Sequence, residues 1–166
     1  MRPALLLVSG LALLAGCRDT PEPTAAPAEP AGVPFRIDGR LSFVRGDRTI
    51  KSIDIEIADT DSTRGRGLME RPTIPPDTGM LFVFDHAEPQ SFYMASTPKS
   101  LDIQFYGPDS TLLNIAEDTT PFSFDPIPSS GPARFVVEVP AGYTRRIGLV
   151  PGDRITWTTG APAAAR

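Results

Sequence analysis

Hydrophobic and polar positions alternate in short runs along most of this chain, which is typical of strands and not of long helices. The most apolar run spans residues 80–84, and its length and composition predict a strand buried on both faces. Residues 85–90 are polar and predict a loop. The aromatic stretch at 91–94 predicts a further strand.

Other short strands are predicted on both sides of this central stretch. N-cap candidates at residues 60–63 predict a short helix towards Met69, and residues 141–148 predict one or two helical turns. Residues 118–133 are rich in proline and predict a long loop. The expected fold is mainly β (a β-rich α+β domain), a compact, barrel-like sheet of about seven short strands with one or two short helices. The remaining strands are expected at residues 35–43, 53–57, 101–106, 112–115, 135–139 and 155–157.

The first 16 residues have the composition of a bacterial lipoprotein signal peptide. One basic residue, Arg2, precedes an apolar span that is too short to cross a bilayer as a helix. This span ends in Leu-Ala-Gly before Cys17, which resembles the lipobox recognised by lipoprotein signal peptidase. We therefore expect cleavage before Cys17, acylation of this cysteine and attachment to a membrane of the cell envelope. Because Arg18 follows the cysteine, the periplasmic face of the outer membrane is the expected destination in a diderm host.

The sequence predicts three further segments after the signal peptide. Residues 17–34 contain the acylated cysteine and a tether rich in proline and alanine, whose composition favours an extended chain. Residues 35–159 form the β-rich domain, and residues 160–166 form a disordered tail.

Composition and charge exclude several classes of function. Cys17 is the only cysteine and His86 the only histidine, so a disulfide, a thiolate metal site and a site with two histidines are excluded. The chain has 16 basic and 20 acidic side chains. Loss of the leader with Arg2 leaves 15 basic and 20 acidic side chains, a net charge of −5. We expect no nucleic-acid partner.

Several motifs together resemble the DUF192 family. The family pattern runs GLM-x-R, GMLF-x-F, a W-M-K-N-T elbow followed by PLD, and then (V/L)-E-(L/V)-x-x-G. The chain has matching motifs at residues 67–71, 79–84, 101–102 and 137–142. Its elbow departs from the pattern, because Tyr93, Ala95 and Ser96 replace the tryptophan, lysine and asparagine. The resemblance covers about residues 53–157 and implies an architecture without an activity, since the family is by name one of unknown function.

Four polar residues within apolar segments or these motifs are candidates for a ligand-binding or structural cluster: Arg71, Tyr93, Asp102 and Glu138. A partly buried carboxylate needs a cation, and a guanidinium group can hold a carboxylate through two hydrogen bonds. We therefore expect Arg71 within salt-bridge reach of Asp102 or Glu138.

Two functions remain open, and neither is enzymatic, because no catalytic constellation stands out. In the first, the domain is a non-catalytic module of the cell envelope that binds a small molecule, a glycan or another protein, with no cofactor. In the alternative, the protein handles copper(I), since thioether and imidazole ligands suit this ion. The candidate ligands would then be Met69, Met80, Met94 and His86.

Overall fold

Seven strands and two short helices make up residues 33–160, the part of the chain that the computed structural model describes. The helices are α1 (Asp61–Arg66) and α2 (Tyr143–Ile147). The strands are β1 (Gly39–Arg45), β2 (Arg48–Ala58), β3 (Thr78–Phe92), β4 (Leu101–Tyr106), β5 (Leu112–Ala116), β6 (Ile127–Pro140) and β7 (Arg154–Thr159).

The strands form one sheet in the order β5-β4-β6-β3-β2-β1-β7. Neighbouring strands are antiparallel except for β2 and β3, which are parallel and are connected through α1. The sheet curls into a half-barrel, and its edge strands approach each other at one end, where Thr111 forms an antiparallel bridge with Arg154. The predicted mainly-β, barrel-like fold of about seven strands is confirmed.

Both faces of the central strands are covered by apolar side chains, as predicted for residues 80–84. Alternate residues of β3 and β6 enter different core clusters, so Leu81 and Val137 lie in one cluster while Phe82 and Val136 lie in the other. The first cluster, which we call the α2-side core, also contains Tyr143 of α2. The second, the α1-side core, contains Leu68 and Met94 from the segments after α1 and β3.

Two predicted loops are strands in the structure. Residues 85–90 belong to β3, and the second half of the predicted loop at residues 118–133 belongs to β6. These segments pair with each other, with Glu88 opposite Ala133 and Phe92 opposite Ile127. This part of the sheet is largely exposed, so it tolerates polar residues and proline. Its sequence therefore lacks the alternation that is typical of a half-buried strand.

Helix α1 is set by local signals at both ends. Thr60 is its N-cap and forms a reciprocal capping box with Thr63. Gly67 follows its last residue with φ of 49° and ψ of −135°, a conformation that favours glycine and ends the helix. The helix therefore ends before Met69, and the chain turns back over the sheet.

The predicted signal peptide with Cys17, nearly all of the tether and nearly all of the tail lie outside the described residues. These assignments stay predictions.

Candidate functional site

Two glutamates occupy one transverse row of the sheet. Glu56 on β2 pairs with Met80 on β3, which pairs with Glu138 on β6. Glu138 pairs in turn with Ile103 on β4. Since neighbouring strands are about 4.8 Å apart, the backbones of the two glutamates are separated by about 10 Å. Both side chains are buried on the face of the α1-side core.

Glu56 is fully neutralised by Arg71. The Nη1 and Nη2 groups of Arg71 donate to Oε1 and Oε2 of Glu56 at 2.7 and 2.8 Å. Both side chains are buried, the backbone N–H of Arg36 also donates to Glu56, and the Phe35 ring lies against the guanidinium. This bidentate pair connects β2 to the segment after α1 and has a structural role.

Asp102 is also satisfied, but on the opposite face of the sheet. Its carboxylate accepts hydrogen bonds from the backbone N–H groups of Asp118, Gly142 and Thr144 at 2.9–3.1 Å and from the Thr144 hydroxyl. The carboxylate thereby fixes the start of α2 to β4. Asp102 is a structural residue as well.

The predicted pairing of Arg71 with Asp102 or Glu138 is therefore wrong. Asp102 and Glu138 project from opposite faces of the sheet, because Asp102 pairs with Val139 while Glu138 pairs with Ile103. Arg71 pairs with Glu56 instead, and within residues 33–160 it forms no salt bridge with Asp102 or Glu138. Glu56 is the partner that sequence reasoning missed, although it follows Ile55 in a strand just as Glu138 follows Val137.

Glu138 is the exception among these buried carboxyl groups. It is 5% exposed, and no residue of the described part donates a hydrogen bond to it; its Oε2 is fully enclosed. Burial raises the pKa of Glu138 from its ordinary value of 4.5 to about 8. Loss of hydration is the cause, since it disfavours the charged form. At neutral pH the side chain is therefore a carboxylic acid that can both donate and accept a hydrogen bond.

A cavity of about 250 Å³ lies over this carboxyl group. Its walls come from α1 and the residues after it, from both halves of β3, and from the elbow that follows β3. Tyr93 stands at its edge and is 51% exposed. Of the four predicted polar residues, the structure thus brings Tyr93 and Glu138 together and places Arg71 and Asp102 elsewhere.

Aromatic side chains form one wall of the cavity. Strand β3 changes register between Val83 and Glu88, so that both halves of the strand contribute to this wall. Phe92 packs edge-to-face on Phe82 and Phe84, with ring centroids 5.1 and 6.5 Å apart. This wall is rigid and apolar.

Two arginines of α1 also line the cavity, but neighbouring acidic groups balance their charges. Arg64 donates to the carboxylate of Asp61 at 2.6 Å and to two backbone carbonyl groups, and its guanidinium lies 5.5 Å from the centre of the Phe84 ring. Arg66 reaches Glu70 at 3.4 Å. The cavity therefore has no uncompensated charge when Glu138 is protonated.

Residues next to the cavity lining have unusual backbone conformations. Glu70, Ser96 and Phe122 all have positive φ although none is glycine. The N–H of Glu70 donates to the carbonyl of Ser96, and that of Phe122 donates to Thr97. Such conformations are uncommon for these residue types and are maintained by surrounding contacts, which indicates a preformed edge.

A family model decides what kind of domain this is. The model of DUF192, described as an uncharacterized ACR, matches residues 43–157, well over half of the chain. The chain belongs to the DUF192 family. The match begins ten residues earlier than the motifs alone indicate, and it includes β1.

Two solved structures are similar to this DUF192 protein. One is a protein of Sinorhizobium meliloti 1021, provisionally described as a transcription regulator, with 35% identity and a TM-score of 0.70 over 76% of this chain and 98% of that chain. The other is a protein of unknown function from Novosphingobium aromaticivorans DSM 12444, with 30% identity and a TM-score of 0.69 over 79% and 94% of the two chains. The chain has no significant match among curated protein sequences.

The DUF192 motifs meet at the cavity. Residues 67–69 of the first motif, Phe82 and Phe84 of the second, Tyr93 and Thr97 of the elbow, and Glu138 of the last all line it. Residues of the cavity that sequence reasoning missed, such as Gln90 and Ser91, lie in the segment interpreted as a loop or at its boundary. Arg64 and Arg66 were also missed, and they lie in the segment that was predicted as a short helix.

The proposed copper(I) ligands have different environments. Met80 and Met94 are buried in the α1-side core, and the Met94 sulfur accepts a hydrogen bond from Thr119. His86 is exposed on β3, and Met69 lines the cavity. Copper(I) binding stays a prediction from composition. Within residues 33–160, no helix is long and apolar enough to cross a membrane.

Proposed function

We propose that this DUF192 domain is a non-catalytic binding module that holds a small molecule in the cavity over Glu138. The observation that carries the proposal is the buried Glu138 carboxyl group, which has no partner in the described part of the chain and borders the cavity. Leaving a buried polar group without a hydrogen bond costs about 1–3 kcal/mol. A ligand that hydrogen-bonds to Glu138 would remove this cost.

The shape and stiffness of the cavity support binding. Its volume of about 250 Å³ is slightly below the usual range for drug-sized ligands, about 300–1,000 Å³, so it accommodates one ring or a group of similar size. The packed phenylalanines and the hydrogen-bonded edge hold the walls in place before a ligand arrives. A preformed site binds with a smaller loss of conformational entropy.

The chemistry of the lining favours binding over catalysis. Among residues 33–160, Glu138 is the only carboxyl group that lines the cavity. Hydrolysis of a glycoside by the usual route needs a second carboxyl group about 5–9 Å away. Glu56 is the other acidic residue of the same row, and its two oxygens are occupied by Arg71.

The proposal includes the anchor. We infer that the protein is acylated on Cys17 and attached to a membrane of the cell envelope, the periplasmic face of the outer membrane in a diderm host. Support comes from the Leu-Ala-Gly-Cys motif after an apolar span of signal-peptide length. Residues 18–34 would then separate the binding domain from the lipid surface, and a small molecule, a glycan or an envelope protein would be the partner.

Blocking the cavity tests the proposed site. Ser91 lines the cavity and is exposed, whereas Ser130 is exposed on β6 and does not line it. The variants S91W and S130W therefore introduce the same bulk inside and outside the site. Ligand-observed NMR with N-acetylglucosamine, benzoate and phenethylamine provides one neutral, one anionic and one cationic ring-sized probe.

We expect at least one probe to bind the wild type and S130W at millimolar concentration and to lose its signal with S91W. Equal binding by S91W and wild type would place the ligand elsewhere. Absence of binding by all three probes would contradict the proposal that the cavity is a small-molecule site.

A further inference from the structure

Three exposed aromatic side chains belong to the elbow that borders the cavity or to the segment that is hydrogen-bonded to this elbow. Tyr93, Phe122 and Phe124 are 51%, 60% and 81% exposed. The N–H of Met94 donates to the carbonyl of Ser123, and the N–H of Phe122 donates to Thr97. These two hydrogen bonds hold the residues around Ser123 against the elbow, so the two phenylalanines flank a segment that is fixed next to Tyr93. We call these three residues the aromatic edge.

The exposure of these rings is unusual for this domain. Only five large hydrophobic side chains are exposed in the described part of the chain, and three of them form the aromatic edge. Phe122 also has φ of 59°, a conformation that is an outlier for a bulky residue. Tyr93 therefore provides an exposed aromatic surface at the cavity itself, and the two phenylalanines provide further exposed rings on the segment that is hydrogen-bonded to the elbow.

Inside the mouth, the available polar groups are neutral and both donate and accept hydrogen bonds. Gln90 and Ser91 line the cavity, and within residues 33–160 the carboxyl group of Glu138 has no hydrogen-bond partner. Amide, hydroxyl and carboxylic acid groups all match ligand hydroxyls, which also donate and accept. The charges of the two arginines are balanced by Asp61 and Glu70.

We infer that the site binds a neutral carbohydrate, with one sugar unit in the cavity against Glu138 and the following unit on the aromatic edge. The inference rests on the proposed binding function and assigns its ligand class. A sugar ring has hydroxyls around its rim and apolar C–H groups on its faces. This combination matches a cavity of ring size with neutral hydrogen-bonding groups, next to exposed aromatic rings.

Charged ligands fit the site less well. An organic cation would gain a charged partner in the cavity only if the buried Glu138 released its proton, which the loss of hydration disfavours. An anion would find both arginines already paired and would be repelled by Glu138 in its ionised form. A neutral ligand avoids both conflicts.

Calorimetric titration of the full chain, purified in detergent, tests this assignment with three probes: N,N′,N″-triacetylchitotriose, cellotriose and phenethylamine. The substitution E138Q keeps a neutral group that donates and accepts, whereas E138L removes both properties at similar size. Y93A and F124A remove rings of the aromatic edge, and V150A removes an exposed apolar side chain outside it as a matched control.

We expect at least one of the two oligosaccharides to bind the wild type, E138Q and V150A, and to lose binding to E138L. Y93A and F124A should each weaken it by about two- to tenfold, the usual contribution of one aromatic contact. Urea denaturation checks that each variant is folded. Because E138Q abolishes an ion pair but preserves a neutral hydrogen bond, it separates a carbohydrate from a cationic ligand.

Three results would overturn the inference. Binding of phenethylamine that is lost in E138Q would assign the site to organic cations and leave the proposed binding function standing. Oligosaccharide binding unchanged in Y93A, F124A and E138L would place the sugar elsewhere. Failure of both oligosaccharides to bind would refute the carbohydrate assignment, whereas the cavity-blocking experiment with S91W decides independently whether the cavity binds small molecules at all.

Discussion

Replacing Glu138 by glutamine should change how the stability of the domain depends on pH. In the folded protein, burial raises the pKa of Glu138 to about 8, whereas in the unfolded chain it returns to its ordinary value of 4.5. Between these two values the unfolded chain has released the proton and the folded protein still holds it. The folded state therefore binds more protons, and the free energy of unfolding falls as the pH rises.

The size of the effect follows from the two pKa values. One pH unit corresponds to about 1.4 kcal/mol, so Glu138 contributes a slope of about −1.4 kcal/mol per pH unit between pH 5.5 and 7.5. Across the gap of about 3.5 pH units between 4.5 and about 8, the free energy of unfolding falls by about 5 kcal/mol in total. This is a large share of the 5–15 kcal/mol that stabilises a typical domain. E138Q does not titrate and should lack this slope.

Urea denaturation at half-unit steps from pH 5 to pH 8 measures the slope. The variant E88Q removes an exposed carboxyl group from the same strand pairing as the cavity wall and controls for the change in net charge. The other shifted groups of residues 33–160 titrate outside this window, because three aspartates have a pKa lowered from 3.8, two tyrosines have a pKa raised from 10, and three arginines have a pKa raised above an ordinary value that is already high: Asp38, Asp109, Asp153, Tyr106, Tyr143, Arg36, Arg45 and Arg145. Parallel profiles of unfolding free energy against pH for wild type and E138Q would refute the inference that Glu138 is a buried, unpaired acid.

Three further predictions concern the ion pair, the anchor and the tether. Arg71→Ala leaves the buried Glu56 without its cation and should lower the free energy of unfolding by about 3–5 kcal/mol, as measured by urea denaturation. The double variant R71M with E56L should recover most of this loss, because neither charge is then left unpaired. A loss below about 1 kcal/mol in Arg71→Ala would contradict the structural role of the pair. Cys17→Ser should move the protein from the membrane fraction to the soluble fraction after ultracentrifugation, and continued sedimentation with membranes would mean another anchor. Limited proteolysis followed by mass spectrometry should cut first within residues 18–34 and leave the β-rich domain whole, whereas protection of this segment would contradict the tether.

The fold was predictable wherever apolar alternation marks strands that are buried on at least one face. The runs around Ile55, Leu81, Ile103 and Val137 predict four of the central strands correctly. Apolar alternation does not mark strands that pair with each other away from the core. Because Pro89 faces Pro132 in a solvent-exposed part of the sheet, neither segment shows the pattern of a buried strand.

The candidate site was predictable in part. Tyr93 and Glu138 stood out because a polar residue in an apolar strand or a family motif needs an explanation, and both line the cavity. Asp102 and Glu138 lie on opposite faces of the sheet, and this placement depends on the register between β4 and β6. Register of this kind depends on the pairing of strands that are far apart in sequence, so the local sequence pattern does not reveal it.

The different fates of Glu56 and Glu138 explain why only one of them is available to a ligand. Both are buried in one row and on one face, but Met80 lies between them, and the two Nη groups of Arg71 are occupied by Glu56. Within residues 33–160 no cation forms a salt bridge with Glu138, which avoids an isolated buried charge by holding its proton. An apolar residue at this position would extend the packing of Val136 and Ile103 without the desolvation cost. Packing thus accounts for Glu56 and leaves Glu138 unexplained, whereas a ligand hydroxyl in the cavity would satisfy both of its hydrogen-bonding functions.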